Sequence, residues 1–266
     1  TGVVCVSPAS GSSGWVSVEL LGDSEVLESG SSFYVHPRML ISAVAPSSGP
    51  VEGGTRLAVF GSSFVESATL RCRMEESSTT AVARVVSSSQ LECAAPASSG
   101  TGVRHVEVTM NGQQYSSSAI EYTYRAAAAV SSVWPSRGWA EGGTAVTVLG
   151  SGFSSAAEAL GELWCRFNGS AVRAAYVSES AAVCNTTQSV AGLVSVEVST
   201  NGQDFSSSDV HFEYLQPVTV HTLEPSRGPV DGGTFVNVTG SGFSARSAQL
   251  GYVWCRFNTT SVAAVW

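Results

Sequence analysis

The chain has 266 residues, of which 43% are hydrophobic and only 13% are charged. Its 21 acidic and 13 basic residues give a net charge of −8 at pH 7, and the arginines are scattered along the chain. A nucleic-acid-binding surface needs clustered Arg or Lys, so this composition argues against a nucleic-acid partner. Since the apolar runs all fall short of the roughly 18 residues of a membrane-spanning helix, no membrane span is expected within this stretch.

One motif occurs three times, starting at Pro46, Pro135 and Pro225, which lie 89 and 90 residues apart. Its second copy reads PSRGWAEGGTAVTVLGSGF. Self-similarity at a fixed period indicates a tandem array. Within each copy, the Gly-Gly pair supplies backbone angles that side chains forbid. The apolar and polar residues that follow alternate with period two, which predicts a half-buried strand.

The motif divides the chain into four segments. The residues before the first copy match the second half of a repeat, since Cys5-Val-Ser-Pro8 corresponds to Cys93-Ala-Ala-Pro96. The chain also stops half way through a repeat, so both ends are expected to fall within domains of a longer protein. The predicted segments are 1–40 (C-terminal half of a repeat), 41–125 and 126–216 (complete repeats) and 217–266 (N-terminal half of a repeat).

Each complete repeat contains the same later signals. Two cysteine-bearing strands are followed by an Asn-Gly pair, at Asn111 and again at Asn201, between alternating apolar segments. Asn-Gly readily adopts positive φ angles, so a hairpin is predicted at this point. The connectors between repeats are about five residues long, which favours a semi-rigid, elongated array.

The motif resembles that of the IPT/TIG family, the immunoglobulin-like domains of plexins, of the hepatocyte-growth-factor receptor and of some transcription factors. The family pattern is roughly Pro-x-x-Gly-Pro-x-x-Gly-Gly-Thr, an apolar strand, then Gly-x-Gly-Phe. Trp139 in the second copy stands at the position that Pro50 and Pro229 occupy in the other two copies, and Ser63 replaces a glycine in the first copy. The resemblance covers almost the whole chain and implies an all-β fold of tandem immunoglobulin-like sandwiches of IPT/TIG type.

Four cysteines stand at matching positions of the two complete repeats. A disulfide within each repeat is predicted. The alternatives are buried free thiols in a reducing compartment or a zinc site, and zinc is disfavoured because no CxxC pair or nearby His supplies a tetrahedral set. By the same register, Cys5 and Cys255 are expected to pair with cysteines outside this stretch. The predicted pairs are Cys72 with Cys93, and Cys165 with Cys184.

Four sequons indicate N-glycosylation. Two of them directly follow Cys-Arg-Phe in successive repeats, at a position that Glu75 occupies in the first repeat. A third alternates with valines and is expected to face outward. Together with the cysteines, the sequons predict an extracellular or cell-surface location, with N-linked glycans attached. The four candidate asparagines are Asn168, Asn185, Asn237 and Asn258.

No set of catalytic residues recurs from repeat to repeat. The histidines lack a partner nucleophile at a recurring position, and Gly-Gly-Thr precedes a strand rather than the helix that a phosphate site uses. An enzyme activity, a cofactor and a metal are therefore not expected. Glu19, Glu107 and Glu197 recur at one strand position, which favours a shared exposed face.

The residues and the resemblance together predict a non-catalytic structural or binding segment of a long extracellular or cell-surface repeat protein. Such a protein would be a surface fibre, a filament or an adhesin, and its partners would be other protein chains. One alternative is the ectodomain stalk of a plexin-like signalling receptor. Another is an accessory module of a secreted carbohydrate-active enzyme. A transcription factor of the Rel type is disfavoured by the acidic charge and the cysteines.

Overall fold

The computed structural model describes residues 2–22, 25–75 and 77–266. It is all-β, as predicted, and divides into two compact units, Thr1–Ala127 and Ala128–Trp266. Each unit contains one complete sandwich and one smaller set of strands. The strands of the first unit are β1 (Gly14–Gly22), β2 (Glu25–Val35), β3 (Leu40–Ala45), β4 (Ser48–Pro50), β5 (Arg56–Ser62), β6 (Arg71–Met74), β7 (Thr80–Ser87), β8 (Gln90–Ala94), β9 (Gly102–Thr109) and β10 (Ile120–Arg125).

The first sandwich consists of two sheets that share one strand. Its strand order is β3-β5-β8-β7-β6-β9-β10-β4. The end of β7 pairs with β8 and its start pairs with β6, so this strand passes from one sheet to the other. The chain changes sheets again at Pro46, where β3 ends and β4 begins on the opposite edge. Proline cannot donate to a ladder and suits such an edge.

The core of the first sandwich follows the period-two pattern. Leu57 and Val59 on β5 are fully buried and alternate with more exposed neighbours. Val106 and Val108 on β9 face them from the second sheet and are equally buried. Burying such a side chain stabilises a fold by about 1.5–3 kcal/mol. The alternation in the sequence therefore sets which face of each strand points inward.

Close packing explains why glycine and threonine occur at these positions of the repeated motif. A side chain at Gly49 would collide with Thr55, and one at Gly138 would collide with Thr144. The glycine after Pro-Ser-x thus packs directly on the threonine of Gly-Gly-Thr. Gly53 has a φ of 75° and lies against the backbone of residues 95–97, so only glycine fits there without strain.

The second sandwich repeats the first strand for strand. Its order is β11-β13-β16-β15-β14-β17-β18-β12. The elements of this unit are β11 (Ala129–Trp134), β12 (Arg137–Trp139), β13 (Ala145–Ser151), α1 (Ser155–Ala159), β14 (Trp164–Phe167), β15 (Ser170–Ser178), β16 (Ala181–Asn185), β17 (Gly192–Ser199), β18 (His211–Leu215), β19 (Thr219–Glu224), β20 (Asn237–Ser241), α2 (Ala245–Gln249), β21 (Trp254–Phe257) and β22 (Thr260–Ala263).

Helix α1 is an addition that the sequence reasoning missed. It is capped by Ser154, whose hydroxyl accepts a hydrogen bond from the Ala157 amide at 3.4 Å. Serine followed by an alanine-rich stretch is the signal for such a start. The corresponding residues 64–70 of the first sandwich, all of them described, form no helix. Helix α2 lies in residues 217–266, the segment that contains the third copy of the motif (the third segment), and has the same cap at Ser244.

The Asn-Gly pairs lie in longer connections than a two-residue hairpin. Strands β9 and β10 are antiparallel neighbours, as predicted, but ten residues separate them. The Asn111 side chain accepts hydrogen bonds from the amides of Gln113 and Gln114, both at 3.0 Å. A tight turn occurs instead at Asn168-Gly169, where both residues have positive φ between the paired strands β14 and β15.

Candidate interaction surface and its disulfide-linked support

One disulfide links the two sheets of each complete sandwich. Cys72 on β6 is joined to Cys93 on β8, with their Cα atoms 6.4 Å apart. Cys165 on β14 is joined to Cys184 on β16, with a Cα separation of 6.3 Å. These separations lie within the usual range for disulfides. All four cysteines are buried among core side chains.

The disulfides bear on both stability and location. They close loops of 21 and 19 residues, and in the chain-entropy model each closure stabilises its sandwich by about 3 kcal/mol. Disulfides persist in oxidising compartments and are rare in the cytosol. Buried disulfides at equivalent positions of two sandwiches indicate an extracellular location.

Cys5 and Cys255 form no disulfide within the described part of the chain. Cys5 is exposed, and Cys255 on β21 is partly exposed. Their pairing with cysteines outside this stretch stays a prediction.

The four sequon asparagines are exposed. Asn168 and Asn258 each have positive φ, at 50° and 53°, and each lies in the turn of a hairpin, β14–β15 and β21–β22. Asn185 is at the end of β16, and Asn237 begins β20. Glu75, which stands at the position of Asn168 and Asn258 in the first repeat, contacts the His105 ring. A side chain at this turn therefore projects into solvent in each repeat.

A cross-strand ion pair is built on the outer face of the first sandwich. Arg73 on β6 donates from Nε to Glu107 Oε2 on β9 at 2.6 Å, and the two residues are direct partners in the ladder. The Arg73 guanidinium also lies 3.5 Å from the centroid of the Tyr115 ring. The arginine is thus held between a carboxylate and an aromatic face, an arrangement that favours a cation.

The second sandwich contains the same arrangement. Arg166 pairs with Glu197, and its guanidinium lies 4.1 Å from the centroid of the Phe205 ring. Glu107 and Glu197 therefore recur because each forms a partly buried ion pair with an arginine of the sheet. The aromatic ring stacked on that arginine lies in the loop after Asn-Gly, so the arrangement attaches this loop to the sheet. Two features of the sequence mark this arrangement. An arginine directly follows the first cysteine of each complete repeat, and an aromatic residue stands four positions after the asparagine of each Asn-Gly pair.

The histidines lie at separate places in the fold. His36 contacts the carbonyl of Pro37, His211 contacts the carbonyl of Asp209, and His221 contacts Thr219. Within residues 2–22, 25–75 and 77–266, no group of three His, Cys, Asp or Glu side chains is arranged to hold a metal ion. In the same ranges, every helix is too short or too polar to cross a membrane.

A groove of about 560 Å³ lies beside the β1–β2 ribbon in the first unit. Its rim includes Trp15, which is 72% exposed and whose ring centroid lies 5.1 Å from that of Tyr34. On its floor, the hydroxyls of Ser67 and Thr69 donate to the carbonyl of Met110 at 2.6 and 2.7 Å. The groove also contains polar and apolar side chains, among them Glu66 and Val65.

The second sandwich exposes apolar side chains on the outer face of β12, β17 and β18. Trp139 on the edge strand β12 is 53% exposed, and Leu193 on β17 is 45% exposed. Arg137 and Glu213 lie on the same face, as direct partners in the parallel ladder of β12 and β18. A face that combines exposed aromatic and aliphatic groups with charged neighbours has the composition of a protein contact surface.

A family model described as the IPT/TIG domain matches residues 39–124 and 128–214, which together make up more than half of the chain. The chain belongs to the IPT/TIG family. The two matched ranges coincide with the two disulfide-linked sandwiches, and the resemblance seen in the motif is confirmed.

Several relatives of this IPT/TIG chain are much longer proteins. Plexin-B2 of Mus musculus is 27% identical over 224 residues, which cover 78% of this chain and 11% of the relative. Fibrocystin-L of Mus musculus is 25% identical over 203 residues, covering 76% and 4%. A solved structure of the Plexin A4 full extracellular region is 22% identical, covers 77% of this chain and 18% of that one, and has a TM-score of 0.45. The chain thus spans less than a fifth of the length of each protein named here.

Arg137 contacts Ser247 and Tyr252 of the third segment, and the sequence analysis did not predict these contacts. Arg137 occupies the variable position of Pro-Ser-x-Gly in the second copy of the motif. Its partner Tyr252 stands where Glu162 occupies the preceding repeat. Tyr252 departs from the residue of the preceding repeat, whereas the arginine recurs as Arg227 in the third copy of the motif, so only the tyrosine gave a signal.

Proposed function

We propose that this chain is a non-catalytic spacer and binding segment of a long extracellular or cell-surface protein. The observation that carries the proposal is the succession of two IPT/TIG sandwiches, each closed by its own buried disulfide. Such modules keep their structure outside the cell and can be joined in series. Their outer faces then become available to other protein chains.

The proposed organisation has four segments, 1–40, 41–125, 126–216 and 217–266. The family matches at 39–124 and 128–214 support the two middle segments. The ribbon of β1 and β2 and the strands β19–β22 supply parts of the two outer ones. Each outer segment corresponds to the half of a sandwich that its sequence matches.

N-linked glycans at the exposed sequons are part of the proposal. Asn168 and Asn258 would carry sugars at equivalent hairpin turns, and Asn185 and Asn237 would carry them on strand ends. All four asparagine side chains are exposed. The part of the outer face that would be available to a protein partner is the exposed one, which includes Trp139 and Leu193.

Two kinds of protein fit this role. The first is a surface fibre, filament or adhesin, in which the sandwiches space or assemble neighbouring chains. The second is the ectodomain stalk of a plexin-like receptor. It is favoured by the 27% identity to Plexin-B2 across 78% of this chain. A sedimentation velocity measurement of self-association distinguishes the two kinds of protein. A fibre segment should form oligomers, and a receptor stalk should remain monomeric.

The spacer role is tested by stretching the full 266-residue chain between two handles in an optical trap. Each sandwich should unfold as one cooperative event. The disulfide shields the residues between its cysteines from the force, so reduction should lengthen each event by about 70 Å, at 3.3–3.6 Å per residue. Gradual extension without cooperative events would contradict the proposal. The C72A/C93A variant is the matched control, because only one of its two events should respond to reduction.

A further inference from the structure

A charged pair lies on the outer edge of the second sandwich, where strand β18 presents Glu213 between the core residues Phe212 and Tyr214. Glu213 is only 9% exposed, although its side chain points away from the core. Arg137 is its direct neighbour on β12. A carboxylate this strongly buried on an outer face needs a hydrogen-bond partner.

The partner of Glu213 comes from the third segment. The Ser244 hydroxyl donates to Glu213 Oε1 at 2.7 Å. The Ser244 Oγ in turn accepts a hydrogen bond from the Ser247 amide at 3.2 Å, and this bond caps helix α2. A serine hydroxyl has one donor and two acceptor sites, so both bonds form together. The cap of α2 is thereby fastened to the sandwich.

Arg137 contacts the same segment at two further points. Its guanidinium lies 3.8 Å from the centroid of the Tyr252 ring. Its Nη1 donates to the Ser247 hydroxyl at 3.4 Å, and Ser247 is only 6% exposed. Guanidinium groups stack well on aromatic faces. Arg137 therefore contacts both helix α2, through Ser247, and Tyr252, which lies three residues after the end of the helix.

The sandwich itself does not require these charges. In the first sandwich, Ser48 and Thr123 occupy the corresponding places and are partners in the same parallel ladder. Both strands form there without Arg or Glu. The charged residues of the second sandwich therefore serve the contact with the third segment and not the fold of the sheet.

We propose that Arg137 and Glu213 form a polar clamp that fixes the third IPT/TIG segment on the second sandwich. The clamp recognises a segment that presents Ser244, Ser247 and Tyr252 together. The pair thus fixes the orientation of the repeat that follows the second sandwich. This inference is independent of the proposed spacer role, because it concerns a contact within one unit of the chain.

The test is hydrogen exchange measured by mass spectrometry on the full chain. The variants R137S, E213T and R137S/E213T introduce the residues that the first repeat uses, so the sandwich should keep its fold. We expect roughly tenfold faster exchange of residues 244–252 in the double variant, and smaller increases in the single ones. R84S, an exposed arginine on the first sandwich, is the matched control and should leave these residues unchanged.

A second variant tests the clamp from the other side. Y252A removes the ring on which the Arg137 guanidinium stacks and leaves the second sandwich untouched. We expect it to accelerate exchange of residues 244–250 several-fold, and adding R137S should then have little further effect, because the two residues act on one contact. Unchanged exchange in both R137S/E213T and Y252A would overturn the proposal, as would fully additive effects of R137S and Y252A.

Discussion

The two complete sandwiches share their interior and differ on their surface. Strand order, the buried disulfide and the stacked arginine on the outer face are the same in both. The turn after the first cysteine strand is occupied by Glu75 in one and Asn168 in the other. The edge pair is Ser48 and Thr123 in one, and Arg137 and Glu213 in the other. The repeated features maintain the fold, and the residues that vary give each sandwich its own contacts.

The largest expected effect concerns the disulfides and should be equal in the two sandwiches. Removing either bridge, as C72A/C93A or C165A/C184A, should lower the free energy of unfolding of its own sandwich by about 3 kcal/mol, since the closed loops are of similar length. Denaturant unfolding followed by hydrogen exchange of each sandwich measures this. A loss in one sandwich and none in the other would show that the two bridges are not equivalent.

At alkaline pH, the first sandwich should lose stability in a defined range. Burial raises the pKa of Tyr124 to about 12, although Arg104 acts in the opposite direction. The unfolded pKa is about 10, so the folded state favours the protonated phenol. The resulting stabilisation is present below pH 10 and is lost as the pH rises toward 12.

Replacement by phenylalanine isolates this effect. Y124F should remove the decline between pH 10 and 12 in the first sandwich, at the cost of the hydrogen bond from the Tyr124 hydroxyl to the carbonyl of Pro96. Y214F, which changes only the second sandwich, is the matched control. There, burial also raises the pKa of Tyr214, and a side-chain hydrogen bond with Thr186 lowers it. An identical alkaline decline in the native protein and Y124F would contradict the assignment.

A smaller effect is expected from the stacked arginines. R73A and R166A should each destabilise their own sandwich by about 1 kcal/mol, because a partly exposed ion pair and a cation–π contact are both modest. The two losses should be similar, since the partners are equivalent. Chemical denaturation of the two variants provides the measurement, with R84A as the control for an exposed pair. A loss no larger than that of R84A would show that the stacking contributes nothing.

The smallest effect on stability is expected from moving a sugar between the repeats. E75N creates a sequon in the first repeat, because Ser77 follows at the required spacing. The new site should be glycosylated in a secretory host, and N168Q should lose one glycan. Intact mass before and after glycan removal reports both. Absence of sugar on E75N together with full occupancy of Asn168 would show that the two turns are not equally accessible.

Much of the fold was available from the sequence because the repeats constrain each other. Three copies of one motif set the register of the strands, and matching cysteine positions suggested the pairs that the structure contains. The strands beside Asn111 were predicted correctly, but the length of their connection was not, because Asn-Gly also serves as a turn inside a longer loop. Helix α1 was missed, since a five-residue helix leaves little periodicity to detect.

The contacts of the surface were harder to predict for a physical reason. Arg137 and Tyr252 are 115 positions apart in the chain, and no pattern in the sequence links the arginine of the motif to the tyrosine. Their contact depends on how the edge of a sheet meets a short helix, which is a property of the folded chain. The repeated arginine–glutamate pair was different, because recurrence in two sandwiches marked the glutamate before its partner was known.

The most direct test of the proposed extracellular, disulfide-linked segment is peptide mapping of the native protein by mass spectrometry, without reduction and with and without glycan removal. We expect linked peptides for Cys72 with Cys93 and for Cys165 with Cys184, and sugar on Asn168 or Asn258. Free thiols at all four cysteines together with unmodified asparagines would contradict the extracellular assignment and place this IPT/TIG segment in a reducing compartment.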